Sequence, residues 1–484
     1  MQRGEVKGLD EVLEEIPLGR FHLIVVLVSG FAYFADGLVG NSIGFTSECI
    51  GDEYGLDDSS VAKYPTFLFC GSIVGTIVFA QLADIYGRRF TLLFAMAWII
   101  IFFLFTSLLT TPGTIMFGYF LIGIGTGGTG IGFDYISEVV APNLRVLSFA
   151  MQAFWPLSTT VVPLLGWWIL GGGGTWRTLM QIMTIPAIAV FAFSYYMLPE
   201  SARWLLGQDE TDKAEDQVKE YAKMNGTHLN SFSFTRGMLK DTQRDEQEDS
   251  DAVRNTAAPV RLSAGLGNRD DEKSTMEKIT YVFSEFWRKM MGILTDLEMR
   301  HSIQLMSYIF FNSCFSMYGA VFLQARLLES ESEYETCNFD FAEYLLSAPA
   351  ELIATLLIVF TTDMQGRRWS MFTWVALIVL SSWVLFMSTA NSVLASTALL
   401  GIRFSSVGSN VASWAPATEL FNTEYRATAF AFCYVMSRVG AILAAFVVDS
   451  TLSTETVCVF LMIGSVLAAI AALSLKETRG RAIY

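Results

Sequence analysis

The apolar residues of this chain cluster into twelve runs of roughly twenty residues, separated by shorter polar segments. A helix of that length crosses the ~30 Å hydrocarbon core of a bilayer. Because the bilayer core offers no water to satisfy open backbone groups, each run is expected to be a helix. The pattern predicts an all-α membrane protein. Its twelve spans, numbered in chain order, lie roughly at 21–44, 64–83, 90–110, 113–136, 147–170, 178–198, 301–324, 342–361, 370–389, 392–414, 427–449 and 455–475.

The spans form two groups of six, which are joined by a long polar stretch. In that stretch we predict a polar helix ending near residue 224, disorder over 231–275, where aromatic residues are scarce, and an amphipathic helix over 275–294. The predicted units are an N-terminal segment (1–20), a first six-helix half (21–198), a partly disordered central loop (199–300), a second six-helix half (301–475) and a tail (476–484).

Arginines gather on one side of the predicted membrane. Arg88 and Arg89 lie between spans 2 and 3, and Arg367 and Arg368 lie between spans 8 and 9, whereas the segments after spans 1 and 7 are acidic. Short loops that carry Lys and Arg stay in the cytoplasm. Both termini and the central loop are therefore expected to be cytoplasmic.

Three phrases occur twice in the same order, about 280 residues apart. Such a repeat indicates duplication of one six-helix unit, as in secondary transporters whose substrate binds between two related halves. The paired phrases are ADIYGRR at 83–89 with TDMQGRR at 362–368, Glu138 and Arg145 with Glu419 and Arg426, and LPESARW at 198–204 with LKETRGR at 475–481.

The repeated turns resemble the loop signature of the major facilitator superfamily, Gly-x-x-x-Asp-basic-x-Gly-Arg-basic. The first copy is AQLADIYGRR at 80–89, in which Ala80 and Ile85 depart from the pattern. The second copy departs at the same two places, with Val359 and Met364. The resemblance implies a fold of twelve transmembrane helices in two pseudo-symmetric halves.

Further phrases resemble one branch of that superfamily, which contains organic ion transporters and synaptic-vesicle-protein-related transporters. The segment after span 1, at about 45–63, is short, and this favours the vesicle-protein-related side of the branch. The phrases are GLDEVLEEIPLGRF at 8–21, PESARWL at 199–205, ELFNTEYRAT at 419–428 and SRVGAIL at 437–443.

The resemblance implies that charged residues at the repeated turns form a latch, which holds one state of a transporter and breaks when the other state opens. Glycine suits such a turn because a side chain would clash there, and the arginines can pair with acids at nearby helix ends. The alternative is that these positive charges only set the orientation. The residues expected to act in gating are Asp84, Gly87, Arg88, Arg89, Glu138, Arg145, Glu200 and Arg203 in the first half and Asp363, Gly366, Arg367, Arg368, Glu419 and Arg426 in the second.

Five ionisable residues stand out within the predicted spans, where charge is costly and usually functional. Three of them are acids, Asp36, Asp134 and Glu351. An acid in a low-dielectric cavity can bind and release a proton during a transport cycle, so these three are the proton-coupling candidates. Asp134 can alternatively serve the charge network around Glu138.

The other two are the arginines Arg403 and Arg438. The prediction of an anionic substrate rests on Arg438. A guanidinium stays charged and can hold a carboxylate through two hydrogen bonds, and this position resembles an arginine of anion-carrying members of the branch. Arg403 is a second candidate contact. The alternatives are an internal pair of Arg438 with Glu351 or another acid in span 7 or 8, and a role for Arg403 as an interfacial anchor.

Aromatic residues could stack on a planar organic ion, and Tyr33, Tyr308 and Trp414 are the candidates, with helix packing or lipid contact as the alternative. The glycine run at 123–130 indicates close helix packing. It lacks the strand and the Lys-Ser/Thr of a phosphate-binding loop. Cys49 and Cys337 fall in the two exofacial segments, and whether they form a disulfide stays open.

Composition narrows the function further. The chain has 484 residues, is 52% hydrophobic and 16% charged, and has a net charge of −15 without a basic patch for nucleic acid. No cofactor, metal site or enzymatic activity is expected. We predict a monomeric carrier in a plasma or vesicle membrane, which moves a small organic ion, with an organic anion favoured. The carrier is expected to be either coupled to a proton or a facilitator without a coupling ion. The alternatives are an organic cation, a sugar or phosphate as substrate, and a receptor or vesicle component that does not transport.

Overall fold

Twelve helical spans pack side by side, and the predicted all-α fold in two six-helix halves is confirmed. The computed structural model describes residues 5–144, 147–229, 232–235, 275–328, 337, 339, 341–388, 392–421, 423–448 and 452–478. Over these residues, nine helices are long and apolar enough to cross a membrane by length and composition. In chain order the spans are Arg20–Tyr54, Lys63–Tyr86, Arg88–Ser107, Pro112–Thr126 with Ile131–Val139, Phe154–Ile169, Trp176–Met197, Leu297–Leu328, Phe341–Gln365, Arg367–Met387, Ser392–Glu419, Thr423–Val448 and Thr454–Ser474.

Shorter elements lie outside the spans or lead into them. The predicted polar helix and amphipathic helix of the central loop are present as Thr211–Met224 and Thr275–Thr295. The other short helices are Leu9–Glu14, Asp58–Val61, Leu147–Ala150 and Ala202–Gly207, with 3₁₀ turns at Pro142–Leu144 and Met151–Ala153.

Part of the stretch predicted to be disordered is ordered. Phe232–Ser233 forms a short parallel strand with Glu5–Val6, with Glu5 opposite Phe232. The reason is burial, because the side chains of Phe232 and Phe234 are 6% and 7% exposed. The rest of that stretch, 236–274, lies outside the described residues.

Span 1 continues well past its apolar run, to Tyr54 instead of residue 44. The additional turns are polar and are held by Glu53, whose carboxylate accepts a hydrogen bond from Trp176 at 2.6 Å and pairs with Arg177 at 2.6 Å. The helix ends at Gly55, whose φ of 60° is typical of a helix C-terminus. Hydropathy therefore predicts the part of a helix that lies in lipid and misses the part that continues beyond it.

Span 4 is broken into two helices, Pro112–Thr126 and Ile131–Val139. Its glycine run lies directly against span 2, where a Cβ on Gly123 would stand 1.9 Å from the carbonyl oxygen of Leu68. Only glycine permits such an approach of two backbones. The predicted packing role of the run at 123–130 is confirmed.

The two halves meet along two pairs of helices, span 2 with span 11 and span 5 with span 8. One end of this interface carries the two Gly-Arg-Arg turns, at Gly87 and Gly366, and is called the arginine end below. The opposite end carries a disulfide between Cys49 and Cys337, with Cα atoms 4.9 Å apart, and is called the cystine end. A covalent bond thus joins span 1 of the first half to the segment before span 8 of the second.

Candidate functional site

A small cavity lies between the halves, near the middle of the spans. Its volume is about 20 Å³, enough for a single water molecule. Spans 1 and 5 line it from the first half, and spans 7, 10 and 11 line it from the second. In the described part of the chain, the lining residues are Tyr33, Asp36 and Trp155 from the first half and Phe310, Cys314, Met317, Tyr318, Asn410, Trp414, Tyr434, Ser437 and Arg438 from the second.

An ion pair crosses this cavity from one half to the other. Arg438 Nη2 lies 3.5 Å from Asp36 Oδ2, and the two side chains are only 6% and 5% exposed. Among the residues that the structure describes, neither Asp36 Oδ2 nor Arg438 Nε has a hydrogen-bond partner. Since buried polar atoms are nearly always hydrogen-bonded, this pair is incompletely satisfied. The sequence singled out both residues but did not pair them with each other.

Aromatic rings form the walls around the ion pair. Tyr33 lies 5.4 Å from Trp155 and 6.1 Å from Trp414, measured between ring centroids. The guanidinium carbon of Arg438 stands 4.7 Å above the ring of Tyr434, and Arg438 Nη2 also donates a hydrogen bond to the hydroxyl of Tyr434. Such walls favour flat groups through stacking, and the guanidinium of Arg438 supplies the cation over the ring of Tyr434.

Aromatic contacts between the halves close the cavity toward both ends. Toward the arginine end, Phe133 of span 4 packs against Trp414 at 5.1 Å and against Phe430 of span 11 at 5.9 Å. Toward the cystine end, Phe69 of span 2 contacts Tyr318 of span 7 at 4.6 Å. In the part of the chain that the structure describes, these contacts separate the cavity from both ends, which is the arrangement of an occluded state.

A second buried ion pair lies in the membrane interior, outside the lining of the cavity. Arg403 of span 10 contacts Glu351 of span 8 through Nη2 at 2.6 Å and Nε at 2.8 Å. Arg403 Nη1 donates to Gln324 Oε1 at 2.7 Å, and Thr159 Oγ1 donates to Glu351 Oε2 at 2.8 Å. This pair is satisfied on both sides. Two of the predicted site residues, Arg403 and Glu351, are therefore partners of each other.

At the arginine end, Glu200 caps the start of span 3. Its Oε1 accepts hydrogen bonds from the backbone N–H groups of Arg88 at 3.0 Å and Arg89 at 3.1 Å, at the positive end of the helix. Burial raises the pKa of the Glu200 carboxyl, and the backbone donors offset part of this effect. Gly87 makes room for the carboxylate, because its φ is 93° and a Cβ would lie 2.5 Å from Glu200 Oε2.

The second half repeats this arrangement at span 9. The carboxylate of Glu477 accepts from the N–H groups of Arg367 at 2.9 Å and Arg368 at 3.2 Å. Gly366 has a φ of 85°, and a Cβ there would lie 2.9 Å from Glu477 Oε2. The duplicated phrases of the sequence therefore correspond to duplicated helix caps.

Together with the two helix caps, ion pairs form a charge network at the arginine end of each half. Arg88 pairs with Glu138 at 2.9 Å and with Asp84 at 3.0 Å, and Arg367 pairs with Glu419 at 3.3 Å. Each of these pairs joins elements of the same half. They brace the helix ends within a half and do not themselves bridge the two halves.

Three residues of these networks were not assigned from the sequence, although they stand within or beside the repeated phrases. One is the capping residue Glu477. The other two are Ser201, which donates to Glu138 at 2.7 Å, and Thr478, which donates to Glu419 at 2.5 Å. The repeat is the signal that could have found them, because Ser201 and Thr478 each follow the capping glutamate directly.

The structure places three further candidates away from the central cavity. Asp134 lies at the arginine end of span 4, one turn before the glutamate that pairs with Arg88. Tyr308 donates a hydrogen bond from its hydroxyl to the carbonyl of Gly464 at 3.1 Å. Arg203 pairs with Asp10 and so fastens the N-terminal segment to the helix Ala202–Gly207.

The gating role stays a prediction for every residue to which the sequence assigns it. Arg145 and the side chain of Asp363 lie outside the described residues. Arg426 stands near the start of span 11, at the arginine end.

The architecture is that of a polytopic helical membrane protein, in which two related six-helix halves enclose a charged cavity. The chain belongs to the Major Facilitator Superfamily, since the model of that family matches residues 26–445. Members of the superfamily are membrane transporters.

Relatives and solved structures agree with this assignment. The chain is 24% identical to the SVOPL protein of Danio rerio, over 98% of this chain and 89% of the relative, and 23% identical to the synaptic vesicle 2-related protein of Xenopus laevis, over 98% and 82%. It resembles the xylose transporter XylE from E. coli in a partially occluded inward-open conformation, with a TM-score of 0.64, 15% identity and coverage of 96% and 99%. At that identity the structural likeness shows the fold alone.

Proposed function

We propose that this protein carries a small organic anion across a membrane by alternating access, together with a proton. Arg438 binds the anion and Asp36 takes up the proton. The observation that carries the proposal is the Asp36–Arg438 pair, which is buried in the cavity between the halves and lacks part of its hydrogen bonding.

An anion suits this site better than any other charge class. Arg438 stays positively charged, and its contact with Asp36 is a single one at 3.5 Å. A substrate carboxylate could instead accept two parallel hydrogen bonds from the guanidinium, including one from Nε, which has no partner among the described residues. The rings of Tyr33, Trp414 and Tyr434 could then hold the organic part of the substrate.

The same exchange would couple the anion to a proton. When the substrate takes over Arg438, Asp36 loses its positive partner in a buried site. A buried carboxylate without a partner is costly, and it avoids the cost by binding a proton. Anion and proton would therefore bind together, one of each, as expected for a symporter.

The occluded state supports a cycle in which the halves rock about the cavity. A cavity of about 20 Å³ cannot hold an organic ion, so binding requires the halves to move apart. We place the arginine end in the cytoplasm because of its positive charge. The duplicated helix caps would keep each half rigid while one half moves on the other. We expect a monomer in the plasma membrane or a vesicle membrane, and the names of the relatives favour the vesicle.

Uptake into proteoliposomes tests the proposal. A panel of organic anions and cations is supplied with and without a pH gradient, and the gradient should drive uptake of an anion. Arg438→Ala should abolish that uptake. Uptake of cations alone would reverse the assignment and make Asp36 the ligand. Absence of any uptake across the panel would favour a receptor or vesicle component without transport.

A further inference from the structure

We infer that Thr159 is a positioning residue that ties the two halves together in the occluded state, through its hydrogen bond to Glu351. The inference rests on the proposed alternating-access function. It gives Arg403 a supporting role, in which Arg403 holds Glu351 in place as the acceptor and does not bind the substrate.

The contact crosses the interface between the halves. Thr159 belongs to span 5 of the first half and Glu351 to span 8 of the second, and the two spans pack against each other. The distance from Thr159 Oγ1 to Glu351 Oε2 is 2.8 Å, and the residues are 2% and 1% exposed. Any separation of spans 5 and 8 at this depth must break this bond.

The remaining hydrogen-bonding capacity of Glu351 is used within the second half. Its Oε1 accepts from Arg403, which is itself fixed by Gln324. A carboxylate held on one side by a guanidinium keeps its other oxygen aimed at Thr159. The cluster presents nothing to the cavity, because Arg403 and Glu351 are outside its lining among the described residues. Among the described residues, each polar side-chain atom of Arg403 and Glu351 has a protein partner, as expected for a contact that holds the halves together.

The hydrogen bond from Thr159 to Glu351 can also be broken readily when the halves separate. A hydroxyl that donates to a carboxylate makes a strong but single bond, which water can replace as soon as the halves part. The tie therefore stabilises the occluded state without preventing opening. Its loss should shift the protein toward open states while leaving each half folded.

A native cysteine reports opening of the cavity. Cys314 lines the cavity and is 4% exposed, so a water-soluble maleimide reaches its thiol only when the cavity opens. Cys433 and Cys458 are buried outside the lining and report unfolding instead. Cys70, which is half-buried in span 2, is replaced by serine in every sample to lower the background.

The test compares Thr159→Val with Thr159→Ser in proteoliposomes. Valine keeps the shape and removes the donor, so the rate of Cys314 labelling should rise roughly tenfold, as expected for loss of a hydrogen bond to a charged group. Serine keeps the donor and should label at the parental rate. Cys433 and Cys458 should stay unlabelled in all three proteins.

Two results would overturn the inference. One is a Cys314 labelling rate in Thr159→Val equal to that of the parent. The other is a rise at Cys314, Cys433 and Cys458 together, which would show general loosening. The assay uses no substrate, so a tenfold rise in a protein that fails to take up anions would retain the tie and reject only the proposed substrate.

A second observation carries an independent inference. We infer that the Cys49–Cys337 disulfide limits how far the halves separate at the cystine end. Cys49 lies inside the helix of span 1 and is 1% exposed, and Cys337 stands four residues before the start of span 8 at Phe341. Four extended residues reach about 13 Å, so the bond permits a narrow opening and restrains a wide one. Phe45, four residues before Cys49, packs against Tyr344 of span 8 with ring centroids 4.6 Å apart.

Labelling of Cys314 also tests this restraint. The parent is compared with and without the reductant TCEP, and with the double variant Cys49→Ser, Cys337→Ser. The labelling rate should rise to the same level in the reduced parent and in the double variant, while Cys433 and Cys458 stay unlabelled. Equal rates in the oxidised parent and the double variant would reject the restraint.

Discussion

Two buried ion pairs join helices of this protein. They are similarly buried, but they differ in how completely their polar atoms are hydrogen-bonded. The side chains of Arg403 and Glu351 are 3% and 2% exposed, and those of Arg438 and Asp36 are 6% and 5% exposed. The first pair has two contacts below 3 Å and further bonds to Gln324 and Thr159. The second has a single contact between its members, at 3.5 Å, and a bond from Arg438 to Tyr434. Among the described residues, Asp36 Oδ2 and Arg438 Nε have no hydrogen-bond partner.

The difference separates two uses of charge in a membrane. A buried charge is tolerable when its polar atoms have partners, and each side-chain nitrogen and carboxylate oxygen of the Arg403–Glu351 pair has at least one. The Arg438 pair does not, and it faces a cavity. An incomplete pair costs stability in the absence of ligand, and a ligand that completes it recovers that cost on binding. We therefore expect mutations of the complete pair to affect folding and those of the incomplete pair to affect transport.

The largest effect should follow removal of one charge from the complete pair. Glu351→Gln leaves Arg403 buried without an anion and should lower the free energy of unfolding by about 3–5 kcal/mol. Thermal unfolding in detergent measures this loss. Asp36→Asn is the matched control and should cost clearly less, because Asp36 makes fewer contacts. Equal losses in the two variants would remove the distinction between the pairs.

Replacement of each arginine by lysine should have the next largest effect. The change should lower transport at the Arg438 pair and stability at the Arg403 pair. Arg438→Lys keeps the charge and removes the two-pronged geometry, so the uptake efficiency for the anion should fall roughly 10–100-fold with little change in stability. Arg403→Lys should instead lower the unfolding temperature with a nearly unchanged KM. Uptake kinetics and thermal unfolding are measured on both variants. A raised KM in Arg403→Lys would place the substrate at the other pair.

The charged residues of both pairs were predictable from the sequence, but their pairing was not. The sequence identified Asp36, Glu351, Arg403 and Arg438, because charge inside an apolar run is conspicuous. It did not predict which acid meets which arginine. Asp36 and Arg438 stand in different halves, and their meeting depends on how the halves dock, which local patterning does not encode.

In the rest of the fold, too, local features were predictable from the sequence and contacts between distant segments were not. The twelve spans and the duplicated turns at Gly87 and Gly366 follow from hydropathy and repetition, since both are local. The tail of span 1 and the pairing of Cys49 with Cys337 were not predicted or stayed open. Both depend on contacts between distant segments, such as that of Glu53 with Arg177.

A moderate effect is expected when Asp36 loses its ability to bind a proton. With one proton per anion, a pH gradient of one unit can drive at most about tenfold accumulation. In Asp36→Asn this accumulation should disappear, while exchange of labelled for unlabelled anion continues. The measurement is accumulation with and without the gradient. If gradient-driven accumulation persisted in Asp36→Asn and vanished in a folded Glu351 variant, the proton would belong to the complete pair.

The smallest expected effect concerns a single hydroxyl next to the incomplete pair. Tyr434 accepts a hydrogen bond from Arg438 Nη2, and Tyr434→Phe removes that acceptor while keeping the ring beneath the guanidinium. Loss of about 1 kcal/mol in orienting Arg438 should raise the KM for the anion by roughly fivefold. Tyr308→Phe is the matched control, because the Tyr308 hydroxyl binds the Gly464 carbonyl outside the cavity. A change in KM confined to Tyr434→Phe would show that the orientation of Arg438 contributes to anion binding, whereas equal changes would assign the effect to general packing of the second half.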